Sequence, residues 1–140
     1  MSIKISMYRH TDAKLWPIIG PFLTSREVVK SLGGPVLSDD SAFWWIATEG
    51  KTTVGFGCAR ESKDGWWLDC TYVAPSARSE GVHKAIAEAR DTHLATLPAK
   101  PINVCCRSAR WKHYADRGFQ QTRVRGDWVY GRKAAKGAEE

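Results

Sequence analysis

The stretch Val73-Ala74-Pro75-Ser76-Ala77-Arg78-Ser79-Glu80-Gly81-Val82-His83 joins two runs of different character. Before it, residues 66–73 (WWLDCTYV) read as an apolar strand; after it, residues 83–94 (HKAIAEARDTHL) read as a helix. A proline stop, an arginine and a glycine thus stand at a strand-to-helix junction. Such a segment is either an ordinary loop or a place where something anionic meets the helix. The first turn of a helix carries unpaired N–H groups and the positive end of the helix dipole, which together make a phosphate site.

Working outward, Val82, Ala85, Ile86, Ala89, His93 and Leu97 fall at spacings that share one helical face. Residues 97–101 (LPAKP) break that helix, and 102–106 (INVCC) form a short strand of buried type. The crossover helix between them makes 66–73 and 102–106 parallel neighbours. Upstream, Ile3 to Tyr8 alternates as a first strand. Thr11 or Asp12 is the expected cap of a helix towards Phe22, kept short by Pro17, Gly20 and Pro21. A second helix, 25–32, is expected to end at Gly33-Gly34. Residues 42–50 and 52–62 are two strands turned at Gly50-Lys51, and Asp64-Gly65 turns the chain into 66–73, giving an antiparallel meander. Downstream, a helix over 108–117 is expected to end at Gly118, and 119–125 and 127–133 form a last hairpin. No repeat or linker interrupts the pattern. The expectation is one mixed α+β, three-layer αβα-like domain over residues 1–133. Its sheet is mostly antiparallel with the fourth and fifth strands parallel, and 134–140 is a flexible tail.

The chain has 140 residues, 43% apolar and 26% charged, as expected of a soluble globular domain. No apolar run reaches membrane-helix length, and the first ten residues lack the apolar middle of a signal peptide. Cys58, Cys70, Cys105 and Cys106 show no C-x-x-C spacing and lie in strand-like runs. They read as reduced core thiols of a cytoplasmic protein, not as a metal or disulfide framework. Residues 1–70 carry eight basic and eight acidic side chains, whereas residues 71–140 carry thirteen basic against seven acidic. The whole +6 net charge therefore belongs to the second half, where an anionic partner is to be expected.

The element order, together with two motifs, resembles the GNAT superfamily of acetyl-CoA-dependent N-acetyltransferases. That family's cofactor loop reads V-x-P-x-x-R/Q-x-x-G-x-G/A, and Val73, Pro75, Arg78 and Gly81 fall in its register. Its Y-x-x-x-G-F motif is matched by Tyr114 to Phe119 (YADRGF). The resemblance covers nearly the whole chain and implies the following assignments. Backbone N–H groups of Arg78, Ser79, Glu80, Gly81, Val82, His83 and Lys84 would wrap the pyrophosphate of acetyl-CoA, with no metal. Thr71, Tyr72 and Val73 would pair with the pantetheine arm, an N–H near Val73 facing the thioester oxygen. Tyr114 would protonate the departing thiolate, and Asp69 would deprotonate the acceptor ammonium directly or through water, the relay being favoured because aspartate is one methylene short of the family's glutamate. Each has a plainer reading, Tyr114 as a core tyrosine and Asp69 as a sheet-edge carboxylate.

Several residues depart from the family pattern. His83 replaces a glycine or alanine where the helix approaches the cofactor. Glu80 suits the helix dipole by ~0.3–1 kcal/mol. About 6 Å from a phosphate charge, however, it would cost on the order of 3 kcal/mol at an effective dielectric near ~20, so it is expected to face solvent. Arg107 stands where an asparagine usually holds pantetheine; it is expected to reach a CoA phosphate instead. Arg110, Lys112 and Arg117 make the same helix basic. Among the paired tryptophans Trp44-Trp45 and Trp66-Trp67, alternation sends one of each pair to either sheet face. Asp39, Asp40, Glu61 and Asp64 are the acidic residues that could attract an amine, or they solvate loops. The implied activity is acetyl transfer to a small-molecule or protein amine by direct attack. The alternatives are a catalytically silent protein of the same fold, acting as a binding or structural component, and a nucleic-acid partner for the basic helix with Arg123, Arg125 and Arg132. No nucleic-acid motif supports the last. A homodimer through the tryptophan strands or the last hairpin is a further expectation.

Overall fold

A computed structural model of the chain describes residues 2–33, 36, 38–78 and 81–134, without the side chains of Asp69 and Cys70. Seven strands form one sheet in the order β1-β2-β3-β4-β5-β7-β6. They are β1 (Ile3–Arg9), β2 (Ala42–Glu49), β3 (Thr52–Ser62), β4 (Gly65–Val73), β5 (Ile102–Arg107), β6 (Gln120–Arg125) and β7 (Trp128–Lys133). Every neighbouring pair is antiparallel except β4 and β5, which are parallel as the crossover through α3 (Val82–Leu94) requires. Helices α1 (Leu15–Leu23) and α2 (Arg26–Leu32) cover one face, while α3 and α4 (Trp111–Ala115) cover the other.

Strand alternation divides the aromatic residues between the layers. Trp44 packs with Leu15, Ile19, Val28 and Phe56 under α1 and α2. Trp45 and Trp66 pack with Ile86 and Leu94 under α3. Helix α2 begins where Ser25 Oγ accepts the Val28 N–H at 3.3 Å and ends at Gly33, whose N–H bonds the Val29 carbonyl at 2.9 Å. Gly34 lies outside the described residues.

Three expectations are corrected. Helix α1 starts at Leu15 rather than after Thr11 or Asp12, because Asp12 closes a turn: its carboxylate accepts the Arg9 N–H at 3.0 Å. The helix expected over 108–117 is a 3-10 turn, Ser108–Arg110, followed by the five residues of α4. The buried stripe of α3 is Val82, Ile86, Ala87, Arg90 and Leu94, while Ala85, Ala89 and His93 are half-buried and Leu97 lies past the helix end. The stripe is rotated because Arg90, a charge, faces inward. Its Nη1 donates to Thr71 Oγ1 at 3.1 Å and to the Cys58 carbonyl at 3.4 Å.

Two irregularities of β4 create the opening that the site occupies. Ala59 pairs with Leu68 and Gly57 with Thr71, so Cys58 alone stands opposite residues 69 and 70. Two residues against one is the count of a β-bulge, which bends the strand. On the other edge, β4 and β5 pair only from Trp66–Ile102 to Leu68–Val104, although both strands continue. Beyond Leu68 the parallel strands splay apart.

Candidate functional site

The splay exposes backbone. Ala74 N–H donates to the Val54 carbonyl at 2.8 Å, so that pair is hydrogen-bonded and Gly55–Val73, the next one, is not. The N–H and C=O of Val73, and by the same alternation those of Thr71, therefore point away from β3 into the gap. The Val73 carbonyl is already occupied, accepting from Arg78 Nε at 2.9 Å, while Arg78 Nη2 reaches Glu27 Oε1 at 3.2 Å.

Two cavities meet at this gap. The first, about 450 Å³, reaches from the C-terminal end of α2 past Trp67 and Trp128 to Tyr114. The second, about 540 Å³, lies along Val73, Arg78 and the first turn of α3. Ser31, Thr71, His83 and Arg110 line both. Of the residues that the sequence nominates, Thr71, Tyr72, Val73, Arg78, Gly81, Val82, His83 and Lys84 line the second cavity together. Tyr114 and Arg107 line the first. Ser79, Glu80 and the Asp69 side chain lie outside the described residues, although the Asp69 backbone is at the bulge.

The second cavity suits an anion. Gly81 opens α3 at φ +79, a left-handed conformation that other residues adopt only with strain, and as the N-cap residue it supplies no side-chain cap. The first intrahelical bond runs from Ala85 N–H to the Gly81 carbonyl at 3.0 Å, which leaves the amides of Val82, His83 and Lys84 as first-turn donors. Arg78, Lys84, Arg110 and Arg117 ring the space. His113 lines it too, and its Nε2 is buried without a partner.

Burial decides the protonation of the groups around the junction. The His83 ring meets that of His113 edge-on at 4.6 Å. Burial, reinforced by His113 and by the Arg110, Arg90 and Arg117 charges, pushes His83 down to about 4. Burial likewise lowers His113, with help from Arg117. Both imidazoles are neutral at pH 7. Tyr114 is 7% exposed, edge-on to His113 and Phe119. Burial raises its phenol, and the charge and hydrogen bond of Arg90 oppose that rise, so the phenol keeps its proton at neutral pH. Cys106 lines the first cavity, but burial pushes its thiol up to about 11, which removes it as a nucleophile near neutrality. Tyr72 turns its ring into the core below α2 and donates to Glu27; burial and that carboxylate push its phenol up to about 12.

Sequence reasoning missed Arg90 and His113. Arg90 was legible in principle: it stands four residues after Ile86, on the apolar stripe, where a charge requires a buried partner. His113 precedes the Tyr114 motif without any distinguishing spacing.

No protein-family profile and no curated protein sequence matches the chain. Solved structures do. ElaA of Escherichia coli superposes with a TM-score of 0.72 at 14% identity, over 94% of this chain and 99% of that one. The ribosomal-protein-S18-alanine N-acetyltransferase of Escherichia coli gives 0.70 at 17%, over 95% and 94%. The PaiA N-acetyltransferase of Thermoplasma acidophilum, in complex with coenzyme A, gives 0.64 at 14%, over 96% and 99%. The chain has the GNAT acyl-CoA N-acyltransferase fold. The fold embraces nearly the whole chain, including the mostly antiparallel sheet and its parallel β4–β5 pair. Among the described residues, no helix is long and apolar enough to cross a membrane, and no group of three or more His, Cys, Asp or Glu residues could hold a metal ion.

Proposed function

We propose that the protein transfers an acetyl group from acetyl-CoA to a primary amine by direct attack. One observation carries this reading: a cavity lined by helix amides and cations joins a second cavity at Thr71 and Arg110, in the gap where β4 and β5 part. Acetyl-CoA would supply the activated acyl group. The amides of Val82, His83 and Lys84, with Lys84 and Arg117, would hold its phosphates. The gap-facing N–H of Val73 would donate to the thioester oxygen, where a fixed donor counts most as negative charge develops. Asp69, carried at the bulge, would take the proton from the acceptor ammonium. Tyr114, protonated, would give its proton to the departing thiolate. Arg78 serves differently: its guanidinium ties the end of β4 to α2 through Val73 and Glu27, holding the gap in shape.

A second reading, a catalytically silent protein of this fold, is favoured by His83, whose ring stands where the two cavities join. Release of free thiol from acetyl-CoA in the presence of a panel of amines tests the two. Amine-dependent release supports the transferase. No release with any amine, persisting in His83→Gly, favours the silent protein.

A further inference from the structure

We propose that the acceptor is a small amine that carries a carboxylate, and that Arg107 and Arg110 recognise that carboxylate. The inference rests on the transferase reading above and names the class of substrate for the first cavity.

Arg60 from β3, Arg107 from β5 and Arg110 from the following turn all line that cavity, and Asp39 is the one carboxylate among its described lining residues. Asp39 is engaged elsewhere: its Oδ1 accepts the Ser41 N–H at 2.8 Å and the Ser41 hydroxyl. Its charge also acts on Arg60 and His10, so Arg107 and Arg110 are the cations that face a ligand here.

Arg107 is held in place. Its guanidinium carbon lies 5.0 Å from the centroid of the Trp128 ring, and Nη2 is 2.6 Å from where a Cβ on Gly33 would be. Gly33 thus provides the room that Arg107 occupies. Among the described residues, the acid partner of Arg107 is Asp127 at 3.5 Å, an exposed and long contact worth little. Asp127 also accepts from the Ser108 hydroxyl and so divides its attention. Most of the five N–H donors of Arg107 remain available. Arg110 has no carboxylate within ion-pair distance among the described residues.

A guanidinium fork matches a carboxylate in two parallel hydrogen bonds, and here the fork is pre-set by stacking. Trp67 and Trp128 supply apolar walls for a short aliphatic chain. A polyamine, by contrast, would bring further ammonium groups against Arg107 and Arg110. The volume of about 450 Å³ suits a small ligand and not a folded protein surface.

The test is acetylation of glutamate, glycine and β-alanine against their matched carboxamides and spermidine, alongside calorimetric binding of acetyl-CoA. The expected result is a kcat/KM at least about tenfold higher for each carboxylate amine than for its amide, with spermidine not acetylated. Arg107→Gln should raise KM for the carboxylate amine about tenfold and abolish the preference over the amide; Arg107→Lys should restore part of it. Preference for the amide or spermidine, or no turnover of any carboxylate amine while acetyl-CoA binds, overturns this inference and leaves the transferase reading standing. Absence of acetyl-CoA binding instead removes both.

Discussion

At Tyr114 and His83 the same physical cause, loss of hydration, moves the pKa in opposite directions. Burial keeps the Tyr114 phenol protonated, as a general acid requires, and keeps the His83 imidazole uncharged. Tyr114→Phe should lower kcat about 100-fold, at the low end of what a positioned acid contributes. Acetyl-CoA affinity should not change, and a parallel loss of affinity would reassign the tyrosine to packing. His83 makes a prediction about pH. Its folded pKa, about 4, lies below the ordinary 6.5, so the unfolded chain binds the extra proton and folding stability falls as pH drops from 6.5 towards 4. Urea unfolding of wild type and His83→Gln at pH 7 and pH 4.5 should show a smaller acid loss in the variant. Equal losses would mean that His83 charges freely in the folded protein. A bound phosphate beside His83 should raise its pKa, so acetyl-CoA binding at pH 5 should take up protons, measured as a dependence of the binding heat on the buffer.

The elements were legible in the sequence where a local rule spoke for itself. The meander, the parallel fifth strand, the end of α2 at Gly33 and the last hairpin all follow from alternation, crossover length and turn residues. The bulge at residues 69 and 70 and the splay beyond Leu68 were not, because register belongs to pairs of strands and no single strand announces it. The rotated face of α3 was missed because Arg90, although on the stripe, finds its buried partners only when Thr71 and Cys58 are brought beside it. Of the site, the loop residues could be named from their motif. That Arg107 opens on the first cavity depends on Gly33 and Trp128 from distant segments. Gly81 gives the prediction at this scale. Gly81→Ala places a Cβ on a residue at φ +79 and should cost about 1–2 kcal/mol in urea unfolding. Because no described residue beyond its chain neighbours lies within 4 Å of that Cβ, the expected cost is backbone strain. An unchanged midpoint would mean that α3 begins differently.

Over the whole molecule, the charge imbalance of the second half finds its place at the gap. Arg78, Lys84, Arg107, Arg110 and Arg117 all line one cavity or the other. A cationic surface shared between two pockets should make acetyl-CoA binding weaken as salt is raised, since partly exposed charges are screened over about 10 Å at ~0.1 M salt. The measurement that tests the central claim most directly is calorimetric titration of the protein with acetyl-CoA, repeated with dephospho-CoA and at raised salt. The account predicts micromolar, salt-sensitive binding of acetyl-CoA, weaker for dephospho-CoA. No detectable heat at millimolar acetyl-CoA, in wild type and in His83→Gly alike, would contradict it, because the amides of α3 would then not be holding the phosphates of CoA.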